Sequence, residues 1–382
     1  MRLLLVDDDP RILTGLSRAL RSSGLREWDV ATATSGDEAL AQLTLLPADV
    51  VVSDVKMPGM DGPALLGEVR RRWPDAVRLV LSGYADTIAA QRLTGVAHQF
   101  MEKPLRVGEL VDLLRRVERL RARFANPAFR ALIGGAAELP AAPALYVELS
   151  GMVEDPHVTL DQLAAVVRKD PAVAAKVLQL ASSAFFARGG PTADLREAIG
   201  RIGSQVVRMV ALAAGAFRPP PQVAAVVDRL QARGLAAAVV AQELVDNPED
   251  REAAFVSGLL ADLGMTGLLT WMPDRYLPLV RAAGDPPLHV REVQEFGVSH
   301  ADVGAYLLGL WGLPRIVLEA VSCHHDPLAV GAPSRDPILA AYLAHALLDD
   351  EPIDEGYLAR AGCAQLLPRW RTLVRGIASC EP

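Results

Sequence analysis

Short apolar runs alternate with longer amphipathic stretches through the first 120 residues, and this alternation restricts the possible folds more than any other feature. The apolar runs lie at Leu3–Val6, Val50–Val52, Val77–Leu81 and His98–Met101, with a poorer fifth candidate at Trp28–Thr32. Helical periodicity lies near residues 10–22, 35–46, 61–73, 85–95 and 105–123. Continuous apolar strands that alternate with helices build parallel sheets covered on both faces, so we expect a doubly wound α/β domain.

The second part of the chain shows a different pattern. Gly134–Pro143 is rich in proline and small residues, as linkers are, and residues 145–345 show helical periodicity almost throughout. After about residue 345 the pattern fades into a helical tail. We therefore predict a multidomain protein with an α/β domain at residues 1–122, a linker at 123–137, an all-α domain at 138–345 and a C-terminal tail at 346–382.

Composition and charge limit the classes of function. Of the 382 residues, 51% are hydrophobic and 22% are charged, which is typical of globular proteins with more than one domain. We find no continuous apolar run as long as the roughly 18 residues of a membrane span and no signal peptide, so we expect a cytoplasmic protein with no membrane partner. Residues 1–125 hold 18 basic and 17 acidic residues and the remainder holds 21 and 29, a balance that predicts no nucleic-acid partner.

Polar side chains follow the predicted strands at the edge where such sheets bind their ligands. Asp7 and Asp8 come after the first strand, Asp54 after the third, Ser82 after the fourth and Lys103 after the fifth. Clustered carboxylates repel one another unless a cation lies among them, and ligand sets made of oxygen alone select Mg²⁺ or Mn²⁺. A carboxylate beside such an ion and a lysine can accept a phosphoryl group. The pattern therefore predicts a phosphoryl-transfer site.

Four motifs contain these positions, and with them residues 1 to about 120 resemble the response-regulator receiver family. The motifs are Leu-Val-Asp-Asp-Asp-Pro at 5–10, Ser-Asp-Val-Lys-Met-Pro-Gly-Met-Asp-Gly at 53–62, Leu-Ser-Gly-Tyr at 81–84 and Glu-Lys-Pro at 102–104. The resemblance implies a flavodoxin-like, five-stranded parallel sheet with strand order 2-1-3-4-5. It also implies that Asp54 accepts phosphate from a partner sensor histidine kinase.

The same resemblance implies roles for the residues around Asp54. Asp7 and Asp8, together with Asp54 and the backbone carbonyl of Lys56, would hold Mg²⁺. Lys103 would contact the phosphoryl group. The remaining two positions, Ser82 and Phe100, match the pair that switches conformation in this family when the aspartate is phosphorylated.

The helical part resembles the HDOD family, a relative of the HD phosphohydrolases, over residues 138–345. The matching segments are Leu139-Pro140, Lys169-Asp170-Pro171, Val177–Ser183, Ala198–Gly203, Gly258–Gly264, His300–Gly304, Trp311–Pro314 and His324-His325. HD hydrolases use a histidine–aspartate pair at the position of Ala261-Asp262, so the histidine is missing here.

Other ligands of the hydrolase pattern are also missing. Residues 222–255 contain no histidine, although one would be expected near Arg233, and an expected Ala-Asp pair appears as Ala341-Tyr342. The residual HD-like positions are Asp262, His300, His324 and His325. This set is too small for a two-metal centre, so we expect neither a metal ion nor hydrolysis in this domain.

The sequence leaves three classes of output open. The preferred one is a response regulator, not an enzyme, in which phosphorylation of Asp54 changes how the helical domain contacts an unidentified downstream protein or a second copy of the chain. The alternative is a phosphorylation-regulated, HD-type metal-dependent phosphodiesterase acting on a cyclic dinucleotide. A third is DNA binding, because Thr159–Ala184 has the outline of a helix-turn-helix, although the acidic surroundings argue against it.

Overall fold

The computed structural model describes residues 1–23, 27–82, 96–103, 105, 107–123, 143–153, 155, 157–181, 192–215, 217–282, 285–311, 313–329 and 335–378. The chain divides into two compact units, the first made mainly of residues 1–144 and the second mainly of residues 145–382. Most of the predicted linker and the helix predicted near residues 85–95 lie outside the described residues.

The first unit is a parallel sheet with helices between its strands, so the predicted α/β class is confirmed. The sheet order is β2-β1-β3-β4-β5, as the resemblance implied, and each neighbouring pair is parallel. The strands are β1 (Arg2–Val6), β2 (Asp29–Ala33), β3 (Val50–Asp54), β4 (Val77–Ser82) and β5 (Gln99–Glu102). The described helices are α1 (Pro10–Ser22), α2 (Gly36–Leu45), α3 (Gly62–Arg72) and α4 (Val107–Arg123).

Side-chain caps fix where the helices of this unit begin. Asp9, Ser35 and Asp61 precede α1, α2 and α3, and each accepts a hydrogen bond from a backbone N–H of the first turn. Burial explains why β3 is easier to predict from the sequence than β2. Residues 50–52 of β3 are fully buried, whereas β2 lies at the sheet edge with two exposed and two partly buried positions, so it lacks a continuous apolar run.

The second unit is all helical where the structure describes it, which confirms the predicted class. Its first helices are α5 (Ala144–Val153), α6 (Leu160–Val167), α7 (Pro171–Ala181), α8 (Leu195–Ile202), α9 (Ser204–Gly215) and α10 (Pro221–Leu244). Next come α11 (Pro248–Leu260), α12 (Leu263–Trp271), α13 (Pro273–Arg281), α14 (Leu288–Phe296), α15 (His300–Leu310) and α16 (Arg315–Ser322). The last three are α17 (Pro337–Leu348), α18 (Glu355–Arg360) and α19 (Leu367–Ala378).

The centre of this unit is formed by α10, α11 and α17, which pack against one another. Among the described residues, Pro248–Trp271 has the length and composition of a membrane span. However, 89% of its most apolar window is buried inside the fold. The apolar composition is therefore accounted for by packing in the core.

The C-terminal helices belong to the same core. The boundary predicted between residues 345 and 346 falls inside α17, and α18 and α19 pack on the cluster formed by α10 and α17 through Tyr357, Leu358 and Trp370. The segment predicted as a separate tail is thus helical but is part of the helical unit. Sequence periodicity missed this because α18 has only six residues, too few to show a pattern.

Candidate functional site

The carboxyl edge of the sheet brings three carboxylates together. Asp7 follows β1 and is buried, Asp8 beside it is exposed, and Asp54 at the end of β3 is partly buried. One carboxylate oxygen of each lies within 4.8 Å of the other two. Because carboxylates at this separation repel one another, the arrangement suits a divalent cation with oxygen ligands, such as Mg²⁺.

Lys103, which follows β5, bridges two of these carboxylates. Its Nζ lies 2.7 Å from Oδ1 of Asp54 and 3.0 Å from Oδ2 of Asp7. Burial lowers the pKa of the lysine ammonium, but the hydrogen bonds and charges of Asp54 and Asp7 outweigh this and raise its pKa above the ordinary value. The lysine therefore remains charged beside Asp54, where it could pair with a phosphoryl group.

A close backbone contact fixes the loop between β3 and α3. The N–H of Gly62 donates to the carbonyl oxygen of Val55 at 2.9 Å. A Cβ atom on Gly62 would lie 2.1 Å from the carbonyl oxygen of Asp54, so a glycine is required for this approach. The contact anchors the backbone at Asp54 to the start of α3. Lys56, whose backbone carbonyl is the remaining predicted Mg²⁺ ligand, lies in this loop.

The two predicted switch residues lie in β4 and β5, the last two strands of the sheet. Ser82 is the last residue of β4, opposite Glu102, and Phe100 lies in β5 opposite Val80. Their side chains lie outside the described part of the chain, so the switch remains a prediction.

The helical unit contains a buried ion pair at Asp262, between α11 and α12. Arg233 of α10 donates from Nη1 to Oδ2 of Asp262, and its Nε donates to Oδ1 of Asp349 at 2.8 Å. Burial raises the pKa of the Asp262 carboxyl, but the charge of Arg233, with smaller contributions from nearby histidines, holds it well below its usual range. Asp262 is therefore ionised and already has one cationic partner.

His345 of α17 lies on the same side of Asp262 as Arg233. Its Nδ1 lies 2.7 Å from Nη1 of Arg233 and 3.7 Å from Oδ2 of Asp262. Burial outweighs the attraction of Asp262 and lowers the pKa of His345 to about 3. The imidazole is therefore neutral at physiological pH and can accept a hydrogen bond from the guanidinium.

His300, the first residue of α15, lies on the other side of Asp262. Its Nε2 is 3.6 Å from Oδ1 of Asp262, and its Nδ1 lies 2.7 Å from Oε2 of the buried Glu292. Tyr276 donates its hydroxyl to the same Glu292 carboxylate. Tight packing makes this geometry possible, because a Cβ atom on Gly264 would lie 1.9 Å from the carbonyl oxygen of His300.

His324 and His325 follow α16 and complete the cluster. The Nε2 atoms of His324 and His325 lie 3.3 Å and 3.1 Å from Nε2 of His300. Nδ1 of His324 lies 2.7 Å from the carbonyl oxygen of Val321. The ring of His289, from α14, stacks on His325 with centroids 4.3 Å apart. The four residual HD-like positions predicted from the sequence are therefore brought together.

Sequence reasoning missed five members of this cluster. The sequence marks Arg233 only as the place of a lost histidine and gives no sign that it pairs with Asp262. One sequence signal was available: His345 and Asp349 are four residues apart, a spacing that places two residues on one face of a helix. Glu292 and His289 lie in α14, a different helix from the one that begins at His300, so spacing gave no signal for them. The missed residues are Arg233, Glu292, His345, Asp349 and His289.

The fold and the two clusters define a protein that joins a doubly wound α/β domain to an all-helical domain. Residues 3–115 match the family model of the response regulator receiver domain, and residues 139–327 match that of the HDOD domain. The chain therefore carries a response regulator receiver domain followed by an HDOD domain.

Individual relatives cover parts of the chain. The hydrogenase transcriptional regulatory protein HoxA of Cupriavidus necator is 41% identical over 115 residues, 29% of this chain and 23% of that protein. An uncharacterized protein of Treponema pallidum is 27% identical over 200 residues, 50% of this chain and 38% of that protein. The chain thus spans less than two fifths of the length of either relative.

One solved structure covers much of the chain. It is the crystal structure of an HDOD domain protein with unknown function from Geobacter sulfurreducens, with 21% sequence identity and a TM-score of 0.49. The similarity covers 68% of this chain and 99% of that one.

Proposed function

We propose that this protein is a response regulator of a two-component phosphorelay, with Asp54 as the residue that a sensor histidine kinase phosphorylates. The observation that supports this most directly is the pair of contacts from Lys103 to Asp54 and Asp7, beside a third carboxylate. An acceptor carboxylate flanked by a fixed ammonium and a cation site matches the requirements of phosphoryl transfer.

In the proposed reaction, an oxygen of Asp54 attacks the phosphorus of a phosphohistidine. The new O–P bond forms as the N–P bond breaks, and the kinase imidazole leaves with the electron pair. Asp7, Asp8, Asp54 and the backbone carbonyl of Lys56 would hold Mg²⁺, which would supply charge neutralisation at the phosphoryl oxygens. Lys103 would exchange part of its pairing with Asp54 for the incoming phosphoryl group.

The proposed output is a change of protein contact in the helical domain, without hydrolysis. Ser82 and Phe100 would report phosphorylation through β4 and β5 by the switch that the receiver resemblance implies. The HDOD domain would then bind a downstream protein or a second copy of the chain. Arg233 supports a non-hydrolytic role, because its guanidinium takes the place beside Asp262 that the second ion of a two-metal centre would need.

Labelling with a small phosphodonor tests the acceptor. Wild-type protein incubated with acetyl phosphate and Mg²⁺ should gain one phosphoryl group by intact-mass analysis, and Asp54→Asn should gain none. Asp9→Asn is the matched control, because Asp9 lies two residues from Asp7 but caps α1 and pairs with Arg11. Undiminished labelling of Asp54→Asn would reject the assignment.

A second candidate, the HD-type phosphodiesterase, is favoured by one observation: five histidines and Asp262 form a single cluster. Incubating the full chain with Mn²⁺ or Fe²⁺ and a cyclic dinucleotide would separate the two proposals. Turnover that is lost in His324→Ala would establish the hydrolase, and its absence at every metal would favour the interaction output. Salt-dependent DNA binding, measured in parallel, would instead support the third class of output.

A further inference from the structure

We propose that the free edge of β2, together with Arg18 and Arg21 of α1, binds an extended acidic segment of a partner protein as an additional strand of the receiver sheet. The surface lies within the receiver domain, and the proposal does not depend on phosphorylation of Asp54 or on a metal ion. A cleft, unpaired backbone groups and unpaired charges at this edge support it.

A cleft of about 610 Å³ lies between the last turns of α1 and the start of β2. One of its walls is Trp28, which is buried and whose indole N–H donates to Oε1 of Glu118 in α4 at 3.1 Å. This contact holds the wall in place. The lining residues are Arg18, Arg21, Ser22, Trp28, Asp29 and Val30. The cleft therefore lies beside an edge strand, the part of a sheet to which a further strand can be added.

The backbone of Val30 is unpaired at this edge. The N–H of Asp29 donates to the carbonyl oxygen of Met1, so Asp29 bonds toward β1. Because the bonding direction alternates along a strand, the N–H and carbonyl groups of Val30 point away from β1. Further along, Nε2 of Gln42 donates to the carbonyl oxygen of Thr32 at 2.9 Å and covers the edge there. The start of β2, beside the cleft, is thus the part that an added strand can reach.

Two arginines give the cleft a positive charge. Arg18 and Arg21 are three residues apart, so they project from the same face of α1. Both are exposed, and within the described ranges of the chain neither has an ion-pair or hydrogen-bond partner. The carboxylate of Asp29, in contrast, already pairs with Nε of Arg2 at 3.4 Å. The free guanidiniums favour carboxylates, which arginine binds through two parallel hydrogen bonds.

The alternation of side chains along a strand indicates how the segment would be patterned. Ala31 and Ala33 pack on the core cluster shared with α2 and α3, so Val30 and the cleft lie on the opposite face of the sheet, beside α1. Acidic residues at every second position of the added strand would point to this face and meet the guanidiniums. In strand addition of this kind, main-chain hydrogen bonds supply affinity and alternate side chains supply specificity.

Charge complementarity favours an acidic partner segment over other occupants. If two copies of the chain paired through β2, Arg18 and Arg21 of both copies would lie at one interface, where like charges oppose pairing. A free phosphate ion would bind the guanidiniums but would leave the backbone groups of Val30 unpaired. An extended acidic segment satisfies the arginines and the strand edge together.

Binding of a synthetic peptide to the full-length protein tests the surface. The probe is a short labelled peptide of alternating Glu and Val, and fluorescence anisotropy measures its affinity. Wild-type protein should bind it but not the matched peptide of alternating Lys and Val. The variant Arg18→Glu/Arg21→Glu should bind about tenfold more weakly or worse, because two charge-assisted contacts are lost. Arg11→Glu is the matched control, since Arg11 is exposed on α1 but does not line the cleft.

The variant Val30→Pro tests the backbone contribution separately. Proline removes the outward N–H and is tolerated at sheet edges, so this variant should also bind the peptide more weakly. Val30→Ala keeps the N–H and should bind as the wild type does. Amide hydrogen exchange in β1 checks that the sheet is intact in every variant. A peptide with an N-methylated backbone, which should bind the wild type more weakly, gives the same information without changing the protein.

Three results would overturn the proposal. Wild-type protein that does not bind the Glu-Val peptide would show that the edge accepts no such strand. Equal binding of the N-methylated and unmodified peptides, or of Val30→Pro and wild type, would show that the arginines attract anions without strand addition. Calorimetry in which inorganic phosphate binds as tightly as the peptide would assign the cleft to small anions.

Discussion

Arg233 and Asp262 form an ion pair in the interior of the helical domain, although they are 29 residues apart in the sequence. The guanidinium also contacts His345 and Asp349, so one arginine ties α10 to the α11–α12 junction and to α17. A charged partner supplied by the protein thus lies beside the aspartate that HD hydrolases use for metal binding. This relationship supports the non-hydrolytic output proposed above.

Replacing Arg233 by Met should destabilise the helical domain strongly. The substitution leaves Asp262 buried without its cation, and breaking a buried pair from one side costs about 3 kcal/mol or more. The measurement is urea unfolding in the presence of EDTA, with helical content followed by circular dichroism. The double variant Arg233→Met/Asp262→Asn removes both charges and should recover much of the loss.

Arg315→Met serves as the control for this experiment. Arg315 is highly exposed and pairs with Glu319 on its own helix, so its loss should cost about 0.5 kcal/mol or less. Equal costs for Arg233→Met and Arg315→Met would mean that the buried pair contributes no more than a surface pair.

Sequence patterns predicted the receiver domain closely because its fold and site are set by local signals. The helices begin at capping residues that are visible in the sequence, such as Asp9 and Asp61, and the buried strand β3 is a continuous apolar run. The carboxyl ends of parallel strands necessarily share an edge. The sequence therefore places Asp7 and Asp54 together, whereas the contacts of Lys103 depend on a side-chain conformation that no sequence pattern specifies.

The helical domain was predicted less completely, because helix crossings bring its cluster together. Glu292 and His345 lie on different helices, and nothing in the periodicity of either helix indicates that both face Asp262 or its neighbours. The close approach at Gly264, which sets Asp262 beside His300, depends on how two helices cross. Sequence reasoning found His300, His324 and His325, but neither the carboxylate that orients His300 nor the arginine that pairs with Asp262.

Changing Glu292 to Gln should destabilise the helical domain by about 1–3 kcal/mol. Glu292 is buried, Nδ1 of His300 lies 2.7 Å from its Oε2, and the hydroxyl of Tyr276 donates to the same carboxylate, so an amide leaves these buried groups with weaker hydrogen bonds. Urea unfolding followed by circular dichroism measures the change. Glu295→Gln on the same helix is the control, because Glu295 is exposed and pairs with Arg275. Equal stabilities of the two variants would contradict this role of Glu292.

Replacing each of two glycines of α3 by alanine should change the stability of the receiver domain in opposite directions. In Gly62→Ala the new Cβ would meet the carbonyl oxygen of Asp54, so the receiver domain should lose about 2 kcal/mol of stability and acetyl phosphate labelling of Asp54 should slow. In Gly67→Ala the new Cβ meets no atom within 4 Å, so the variant should gain up to about 1 kcal/mol from helix propensity. Amide hydrogen exchange in β1 and β3 measures both changes; a similar effect of the two substitutions would reject the steric explanation.

The burial of His98, which directly precedes β5, predicts how the stability of the receiver domain depends on pH. It is fully buried, and its Nδ1 accepts a hydrogen bond from the backbone N–H of Arg78 at 2.9 Å. Burial, with further contributions from the charges of Arg78 and Arg121, lowers the pKa of His98 well below 6.5. The folded state therefore holds the neutral ring, whereas the unfolded chain binds a proton below about pH 6.5.

Because the folded pKa is depressed, the contribution of His98 to stability is complete above about pH 6.5 and is lost as the pH falls below it. The loss approaches about 1.4 kcal/mol per pH unit for a single proton. Exchange protection in β4, measured between pH 7.5 and 5.5 and corrected for intrinsic rates, should fall in the wild type and fall less in His98→Gln. His157→Gln, at an exposed position of the helical domain, should follow the wild type. An equal pH dependence in His98→Gln would assign the acid sensitivity to other groups.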